Sequence, residues 1–460
     1  MDANQIRTLF EAQKAYFLTG ATRGHSFRIA QLRRLDQMIR ENEDAILAAL
    51  TQDLGRCDTE SYIAEINFLY SELKHSIKHL RHWMQPRKTG TPAALQPAQS
   101  MVIYEPLGVT LNISPWNYPF QLLFAPVIGA VSAGNTMILK PSELAPAISK
   151  ISAELVAKYF DPNLVAVVEG AIAETTALLE LPFDHIFYTG STNVGKIVMA
   201  AAAKNLTPVT LELGGKSPCI VDKNTDLTVT ARRITWGKFY NAGQTCVAPD
   251  YLLVHESVKE PLIREIKAQI TEFYGPNPKD SPDYPRIINE RHFQRLSKLI
   301  DKSKVIAGGD GDASQKYMAP TLLDNVKPDD AVMADEIFGP ILPILTWSDL
   351  SEAIRFVRSR PKPLALYVYT KDNAVAQRVL DEVSFGGGIV NDCMVHLANF
   401  NLPFGGVGHS GLGAYHGKDG FDVFSHKKAV MKRKFAFDLK FRYPPYKLSL
   451  DTWRKLLKYT

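Results

Sequence analysis

Cysteine is scarce in this chain of 460 residues, and the four that occur, Cys57, Cys219, Cys246 and Cys393, follow no short repeated spacing. Disulfide-rich and zinc-binding proteins need clustered or regularly spaced cysteines, so the sequence predicts neither class. We expect four reduced thiols and no metal site. Each thiol remains a candidate nucleophile at this stage.

Long apolar runs and a strong charge of one sign are also missing. The longest apolar stretch, Leu122 to Ser132, falls short of the roughly 18 residues that a membrane-spanning helix needs. The segment Met1–Gly20 is polar and lacks the apolar core of a secretory signal. A net charge of +5 is small for this length and predicts no nucleic-acid partner. The expected location is therefore the cytoplasm.

The order of the apolar patterns predicts an α/β protein. Helical spacing dominates the first eighty residues, and short apolar runs then alternate with helical stretches over Val109–Asp222 and Tyr251–Val390. Such alternation indicates parallel sheets of the doubly wound kind. The predicted strands are Met101–Glu105, Val109–Ile113, Thr136–Leu139, Val165–Val168, His185–Tyr188 and Ser217–Val221, and the predicted helices between them are Phe120–Ala133, Ala147–Tyr159 and Asn193–Lys204.

Two glycine-rich segments resemble nucleotide-binding loops. The turn Gly190–Gly195 lies between a predicted strand and a predicted helix, where backbone N–H groups can face an anion, although an ordinary tight turn has the same pattern. Ile197 follows Lys196 and cannot ligate magnesium, so the partial match to a phosphate-binding loop fails. Gly406–Gly411 has the spacing of a dinucleotide fingerprint, but no buried strand precedes it. We predict there a loop in which backbone approaches backbone.

Two of the cysteines have surroundings that suit a nucleophile. Cys246 lies in a polar, glycine-containing turn, Asn241–Pro249, and Cys393 follows three glycines with a histidine nearby. Cys219 lies in a predicted buried strand, and Cys57 has no evident partner. A catalytic thiol needs partial exposure and a neighbour that favours the thiolate. These observations rank Cys246 only slightly above Cys393.

Several motifs occur in the order typical of one enzyme superfamily. They are PWNYP at Pro115–Pro119, KPSE at Lys140–Glu143, GSTNVG at Gly190–Gly195, LELGGKSP at Leu211–Pro218, NAGQTC at Asn241–Cys246, EIFGP at Glu336–Pro340 and PFGGVG at Pro403–Gly408. From about Asn4 to about Tyr446 the chain resembles the aldehyde dehydrogenase superfamily, and within it the class 3-like branch of fatty and aromatic aldehyde dehydrogenases. The resemblance implies an aldehyde dehydrogenase-like fold, with a parallel-sheet cofactor domain, an α/β catalytic domain and a small bridging arm.

The resemblance also implies a reaction, the NAD(P)-dependent oxidation of an aldehyde to its carboxylic acid through a thioester. Cys246 would attack the aldehyde carbon, and the Asn117 amide with the Cys246 backbone N–H would bind the resulting alkoxide. Glu212 would activate the water that hydrolyses the thioester. A glutamate at the Glu336 position is an alternative base in some class 3-like enzymes.

The implied cofactor is NAD, with NADP possible. Gly190, Ser191 and Gly195 would lie against the dinucleotide, while Lys140 and Glu143 would hold the hydroxyls of the adenosine ribose. The carboxylate of Glu143 predicts a preference for NAD, because it accepts a hydrogen bond from a 2′-hydroxyl and repels a 2′-phosphate.

The nicotinamide end and the substrate would occupy the other side of the site. The resemblance implies that Glu336 binds the nicotinamide ribose and that Phe338 packs against the nicotinamide ring. Tyr118, Trp236 and Tyr240 suggest an apolar tunnel for a medium- or long-chain aliphatic or aromatic aldehyde, although aromatics in such positions more often pack a core. The physiological aldehyde stays open.

The implied domains are a cofactor domain at 1–82 and 103–211, a catalytic domain at 212–400, and an arm that would join a homodimer. The arm comprises 83–102 and 421–434, with a strand near Phe421–Lys434. Two rivals are a CoA-acylating dehydrogenase and a catalytically silent protein of the same fold. CoA-acylating relatives tend to lack the glutamate found here as Glu212. A silent relative would be expected to have lost Cys246, Asn117 or Glu212, and all three are present.

The C-terminal tail, 435–460, is basic. From Lys427 to Thr460 there are eleven Lys or Arg and two Asp or Glu, a net charge of +9. Leu450, Trp453, Leu456 and Leu457 recur at helical spacing, which predicts a short basic amphipathic helix. Such a helix either docks on protein or lies on an anionic membrane surface, which would make the chain peripheral to a membrane.

Overall fold

The computed structural model describes residues 1–436 and 438–458. Its α-helices are α1 Ala3–Leu18, α2 His25–Glu41, α3 Glu43–Leu54, α4 Asp58–Ser61, α5 Asn67–Trp83, α6 Gln121–Ala133, α7 Pro146–Tyr159, α8 Ile172–Leu179, α9 Thr192–Ala203, α10 Leu227–Phe239, α11 Lys259–Tyr274, α12 Glu290–Ser297, α13 Leu350–Arg358, α14 Asn373–Glu382, α15 Gly417–Val423 and α16 Leu450–Leu457. Its strands are β1 Arg87–Thr89, β2 Ala98–Pro106, β3 Val109–Ile113, β4 Thr136–Lys140, β5 Val165–Val167, β6 His185–Thr189, β7 Val209–Glu212, β8 Pro218–Val221, β9 Tyr251–His255, β10 Val305–Ala307, β11 Gly311–Asp312, β12 Tyr317–Met318, β13 Thr321–Leu323, β14 Ile341–Trp347, β15 Ala365–Tyr369, β16 Gly387–Val390, β17 Gly411–Leu412 and β18 Ser425–Arg433.

A six-stranded sheet forms the first half of the molecule, in the order β17-β7-β6-β3-β4-β5. The four strand pairings from β7 to β5 are parallel, and β17 runs antiparallel along β7. β3, β4 and β6 are buried along their whole length because helices cover both faces of the sheet. The prediction of a doubly wound parallel sheet is confirmed.

A seven-stranded sheet forms the second half, in the order β10-β13-β14-β9-β8-β15-β16. All neighbours are parallel except the edge strand β10, which runs antiparallel to β13. Its largest core cluster joins apolar side chains of β8, β9, β14 and β15 to those of α10, α11 and α13. The chain passes from the first sheet to the second through the short segment between Glu212 and Pro218.

A third, antiparallel sheet in the order β1-β2-β18 extends from this body. The arm segment 83–102 contains the short strand β1. One expectation needs correction here. The strand expected near Phe421–Lys434 begins only at Ser425, because residues up to Val423 belong to α15, where the Phe421 ring packs against that of Trp83 at 5.9 Å.

Candidate active site

The end of strand β7 carries the buried carboxylate of Glu212. Glu212 is 3% exposed, and neither of its carboxylate oxygens makes a hydrogen bond within the described part of the chain. Its backbone is fixed, since its carbonyl accepts the Gly190 N–H at 3.0 Å and its strand position pairs with Gly411. Burial raises the pKa of Glu212 well above its ordinary value. An unpartnered buried carboxylate is costly, and such groups are typical of functional sites.

Exposure separates the candidate cysteines. Cys393 is fully buried and its thiol donates to the Arg233 carbonyl at 3.0 Å, while Cys219 is buried within β8. Cys246 is partly exposed. Burial raises the pKa of both Cys246 and Cys393 to about 12, and the charges of two nearby carboxylates add to this shift at Cys246. Access therefore favours Cys246, whose thiol needs a base to lose its proton.

The turn that leads to Cys246 is bonded to the loop that carries Asn117. Asn241 and Ala242 both have φ of 50°, a left-handed conformation in which the chain turns sharply. Asn241 Nδ2 donates to the Asn117 carbonyl at 2.8 Å, and Asn117 Nδ2 donates to the Gln244 carbonyl at 3.0 Å. An amide nitrogen carries two hydrogens, so Asn117 keeps one donor for a ligand beside the cysteine turn.

Glu336 is a second carboxylate beside the thiol. It is partly exposed and lies so close to Gly214 that a Cβ at that glycine would overlap its carboxylate. Burial raises the pKa of Glu336 to about 8, and the charge of Asp250 adds to the shift. The charges of Glu336 and Glu212 both raise the pKa of Cys246, so the three groups lie within electrostatic reach of one another.

Phe338 follows two residues later in a strained conformation. Its φ is 49°, which costs a non-glycine residue about 1 kcal/mol or more. Its ring meets the Trp116 ring edge to face at 5.4 Å, and Arg295 donates to the Ile337 carbonyl at 2.7 Å. These contacts hold a partly exposed aromatic ring at the edge of the site, where a flat ligand ring could pack.

The glycine turn predicted to hold a dinucleotide lies between β6 and α9. Ser191 caps α9, its Oγ accepting the backbone N–H three residues on at 3.4 Å. A Cβ at Gly190 would overlap the Tyr188 hydroxyl, and one at Gly195 would approach Leu213 to 2.8 Å. A Cβ at either position would therefore displace a neighbouring side chain, and the helix begins close to the sheet. The remaining first-turn N–H groups suit a pyrophosphate.

Lys140 and Glu143 follow the carboxyl end of β4 in the same sheet. Lys140 is 2% exposed, and its Nζ donates to the Pro141 carbonyl at 2.7 Å and lies 3.9 Å from the Glu143 carboxylate. Burial lowers the pKa of Lys140, an effect that the charges of Glu143 and Glu174 oppose. Glu143 itself is about half exposed, at 49%. A donor and an accessible carboxylate of this kind suit a ribose diol.

The three aromatic residues predicted for the substrate tunnel differ in exposure. Tyr118 is buried, and its hydroxyl shares a 2.6 Å hydrogen bond with Thr245, the residue before Cys246. Trp236 and Tyr240 are partly exposed, with ring centroids 5.3 Å apart. Tyr118 therefore supports the cysteine turn from inside the protein. Trp236 and Tyr240 keep exposed apolar surface that a substrate could contact.

Three buried charged residues next to these loops were not predicted from the sequence. Arg56, Glu60 and Glu65 are 1%, 9% and 0% exposed, yet they lie in a polar N-terminal segment where charges predict a solvated face. No local pattern distinguishes them. Trp116 was also missed, although it lies in the same motif as Asn117.

Comparison with known proteins identifies the family and the fold of the chain. The model of the aldehyde dehydrogenase family matches residues 1–430. The chain belongs to the aldehyde dehydrogenase family. It is 50% identical over 446 residues to the 4,4'-diaponeurosporen-aldehyde dehydrogenase of Staphylococcus aureus, covering 96% of this chain and 97% of that protein. It is also 50% identical over 440 residues to the dimeric NADP-preferring aldehyde dehydrogenase of Rattus norvegicus, covering 95% and 97%.

The solved structures agree with the sequence comparison. The substrate-bound AldH of Staphylococcus aureus superposes with a TM-score of 0.95 at 49% identity, covering 98% of this chain and 99% of that chain. The predicted class 3-like branch and fold are thereby confirmed. This member of the family is an oxidoreductase that acts on aldehydes with NAD or NADP as cofactor.

Proposed function

We propose that the chain oxidises a medium- or long-chain aliphatic or aromatic aldehyde to its carboxylic acid through a thioester on Cys246. One observation carries the proposal. A partly exposed thiol lies within electrostatic reach of two carboxylates with raised pKa values, and one of them, Glu212, is buried with no hydrogen-bond partner in the described part of the chain. A carboxylate of raised pKa is a good base at neutral pH.

The first half-reaction forms the thioester. The Cys246 thiol loses its proton to a neighbouring carboxylate, and the sulfur attacks the carbonyl carbon to give an alkoxide. The free Asn117 amide hydrogen and the Cys246 backbone N–H donate to that alkoxide, each worth about 10²–10³ in rate. NAD or NADP, when bound, would supply the acceptor for the hydride that leaves as the carbonyl re-forms.

The second half-reaction releases the acid. Glu212 takes a proton from water, the water oxygen bonds to the acyl carbon, and the carbon–sulfur bond breaks with the electron pair returning to sulfur. Glu336 is the alternative base, because its pKa is also raised, to about 8. In the CoA-acylating alternative the thiol of CoA would attack the thioester in place of water. That reaction would not need Glu212 as a base to activate water.

The cofactor would be held by the groups around the glycine turn. Gly190, Ser191 and Gly195 would face the pyrophosphate, Lys140 and Glu143 the adenosine ribose. Glu336 would bind the nicotinamide ribose, and Phe338 would pack against the ring. The exposed Glu143 carboxylate supports a preference for NAD, and the nearby Lys140 ammonium supports tolerance of NADP.

A pair of cysteine variants tests the nucleophile. Cys246→Ala should abolish aldehyde-dependent reduction of NAD and leave cofactor binding intact. Cys393→Ala is the matched control and should stay active, since that thiol is buried away from solvent. Activity in Cys246→Ala together with loss in Cys393→Ala would show that the wrong cysteine was chosen.

We also propose a homodimer joined through the arm 83–102 and 421–434. Strand β18 lies at an edge of the three-stranded sheet, with most of its nine residues exposed. Proteins rarely leave a long edge strand uncovered. The rat relative is named dimeric. Light scattering after gel filtration should give twice the chain mass of 51.2 kDa, and a monomer would contradict the proposal.

The location we propose is cytoplasmic, with peripheral membrane contact through the tail. No helix among the described residues is long and apolar enough to cross a membrane. The predicted tail helix is present as α16, Leu450–Leu457, and the Trp453 ring lies 5.7 Å from that of Phe441. The side chain of Leu456, which the predicted helix included, and residues 459 and 460 of the tail lie outside the described residues.

A further inference from the structure

The buried residues Arg56, Glu60 and Glu65 form a cluster, the 56–65 cluster, that contacts both loops of the proposed active site. One loop carries Asn117, which would bind the alkoxide. The other carries Cys246, which would form the covalent bond. Because it contacts both loops, the 56–65 cluster can fix the position of one loop relative to the other.

On the side of the Asn117 loop, the contact runs through Glu65. One oxygen of Glu65 accepts the backbone N–H groups of Phe120 and Gln121 at 2.8 and 3.1 Å, at the start of α6. The other oxygen pairs with Arg56, and both side chains are fully buried. The Arg56 guanidinium also lies 5.1 Å from the centroid of the Tyr118 ring. The residues that follow Asn117 are thereby held by the cluster.

On the side of the cysteine turn, the contact runs through Glu60. Its Oε1 accepts the Asn241 N–H at 2.9 Å, and its backbone carbonyl accepts the Tyr240 hydroxyl at 3.2 Å. Asn241 is the first of the two left-handed residues of the turn, and its side chain bridges the carbonyls of Asn117 and Gln244 at 2.8 and 3.3 Å. Glu60 thus holds Asn241, a residue of the cysteine turn whose side chain also bonds the Asn117 loop.

We propose that Glu60 is a positioning residue for the first half-reaction: by holding Asn241 it sets the distance between the Asn117 amide and Cys246. This inference rests on the proposed function, since it concerns the alkoxide site described there. It assigns Glu60 no contact with substrate or cofactor.

The reach of the Glu60 side chain matters in this account, and its charge does not. Burial raises the pKa of Glu60 to about 7, and the charges of Arg56 and Asp283 act on it in opposite directions. A protonated carboxyl still has an oxygen that accepts the Asn241 N–H, so the contact persists in both protonation states. Glutamine offers the same acceptor at the same length. Aspartate keeps the charge but is one methylene shorter.

Two conservative variants test the inference by the rate of cofactor reduction in the first turnover, measured in a stopped-flow instrument. Glu60→Asp should slow this step by about 10²-fold, the effect of a misplacement of about 1 Å, with the KM for NAD unchanged. Glu60→Gln should retain most of the rate. Asp58→Asn, an exposed carboxylate on the same short helix, is the matched control and should match the wild type.

The opposite order of the variants would overturn the inference. If Glu60→Gln slows the first turnover and Glu60→Asp does not, charge is what matters and Glu60 acts in another way. A slow first turnover in Glu60→Gln alone is enough to reject the account, even if Glu60→Asp does not fold. Equal rates in all variants would show that Glu60 has no positioning role. That result would not bear on Cys246 as the nucleophile, because Cys246→Ala tests the proposed function separately.

Discussion

Replacing Glu212 by glutamine separates the two half-reactions. The carboxylate oxygens of Glu212 make no hydrogen bond in the described part of the chain, so Glu212→Gln breaks no hydrogen bond there. Glutamine has the same length and cannot take a proton from water. Formation of the thioester should therefore proceed, and its hydrolysis should stall.

The size of the effect follows from the role assigned to Glu212. Each chain has one Cys246, so the first turnover should release about one equivalent of reduced cofactor per chain in a rapid burst. The steady-state rate that follows should fall by about 10²–10⁴-fold, the usual contribution of a positioned general base. Stopped-flow absorbance of the reduced nicotinamide measures both quantities in one trace.

The absence of a burst in Glu212→Gln would refute this reasoning and place Glu212 before hydride transfer. The matched variant is Glu336→Gln, which removes the other carboxylate beside the thiol. It should still turn over repeatedly if Glu212 is the base. A burst followed by stalling in Glu336→Gln, with continued turnover in Glu212→Gln, would make Glu336 the base.

Three further predictions concern stability, cofactor choice and the tail. The pKa of Glu336 is about 8 in the folded chain against an ordinary 4.5, so this group costs stability as pH rises from the lower value to the higher. The free energy of unfolding of Glu336→Gln should therefore gain roughly 3 kcal/mol over the wild type between about pH 5 and pH 7 in urea titrations, and a constant difference would contradict the raised pKa. Glu143→Gln should narrow the preference for NAD over NADP in kcat/KM, whereas an unchanged ratio would show that Glu143 does not contact the ribose. Deleting the tail from Leu448 should impair oxidation of long-chain aldehydes more than short ones and weaken salt-sensitive binding to anionic liposomes, to which each basic residue adds about 1 kcal/mol. Equal activity on both chain lengths, with no liposome binding by the intact protein, would leave the tail helix only a packing role.

The parts of the fold that the sequence predicted well are those that burial dictates. β3 has the predicted bounds, Val109–Ile113, and α6 begins one residue after the predicted Phe120. Both are mostly apolar and buried along their whole length, so local pattern and length predict their structure. The prediction of a strand near Phe421–Lys434 was wrong about where the strand begins. Phe421 is held in α15 by aromatic contacts with Trp83 and Tyr104, which no local sequence pattern reveals.

In the candidate site, too, some residues can be predicted from local sequence and others cannot. The cysteine turn, the Asn117 loop and Glu212 lie in motifs that can be recognised one by one, and the structure brings them together. Glu60 could not be found, because its hydrogen bond to Asn241 spans 181 residues of sequence. A charged residue in a polar segment predicts a solvated side chain, and only the folded chain shows that Glu60 is 9% exposed.

The covalent intermediate itself gives the most direct test of the account. Glu212→Gln would be mixed with NAD and a medium-chain aldehyde, quenched in acid and digested, and its peptides weighed by mass spectrometry. We predict that the peptide containing Cys246 gains the mass of the acyl group, in an amount equal to the burst of reduced cofactor. An acyl group on the peptide containing Cys393, or a full burst with no acylated peptide, would contradict a thioester on Cys246.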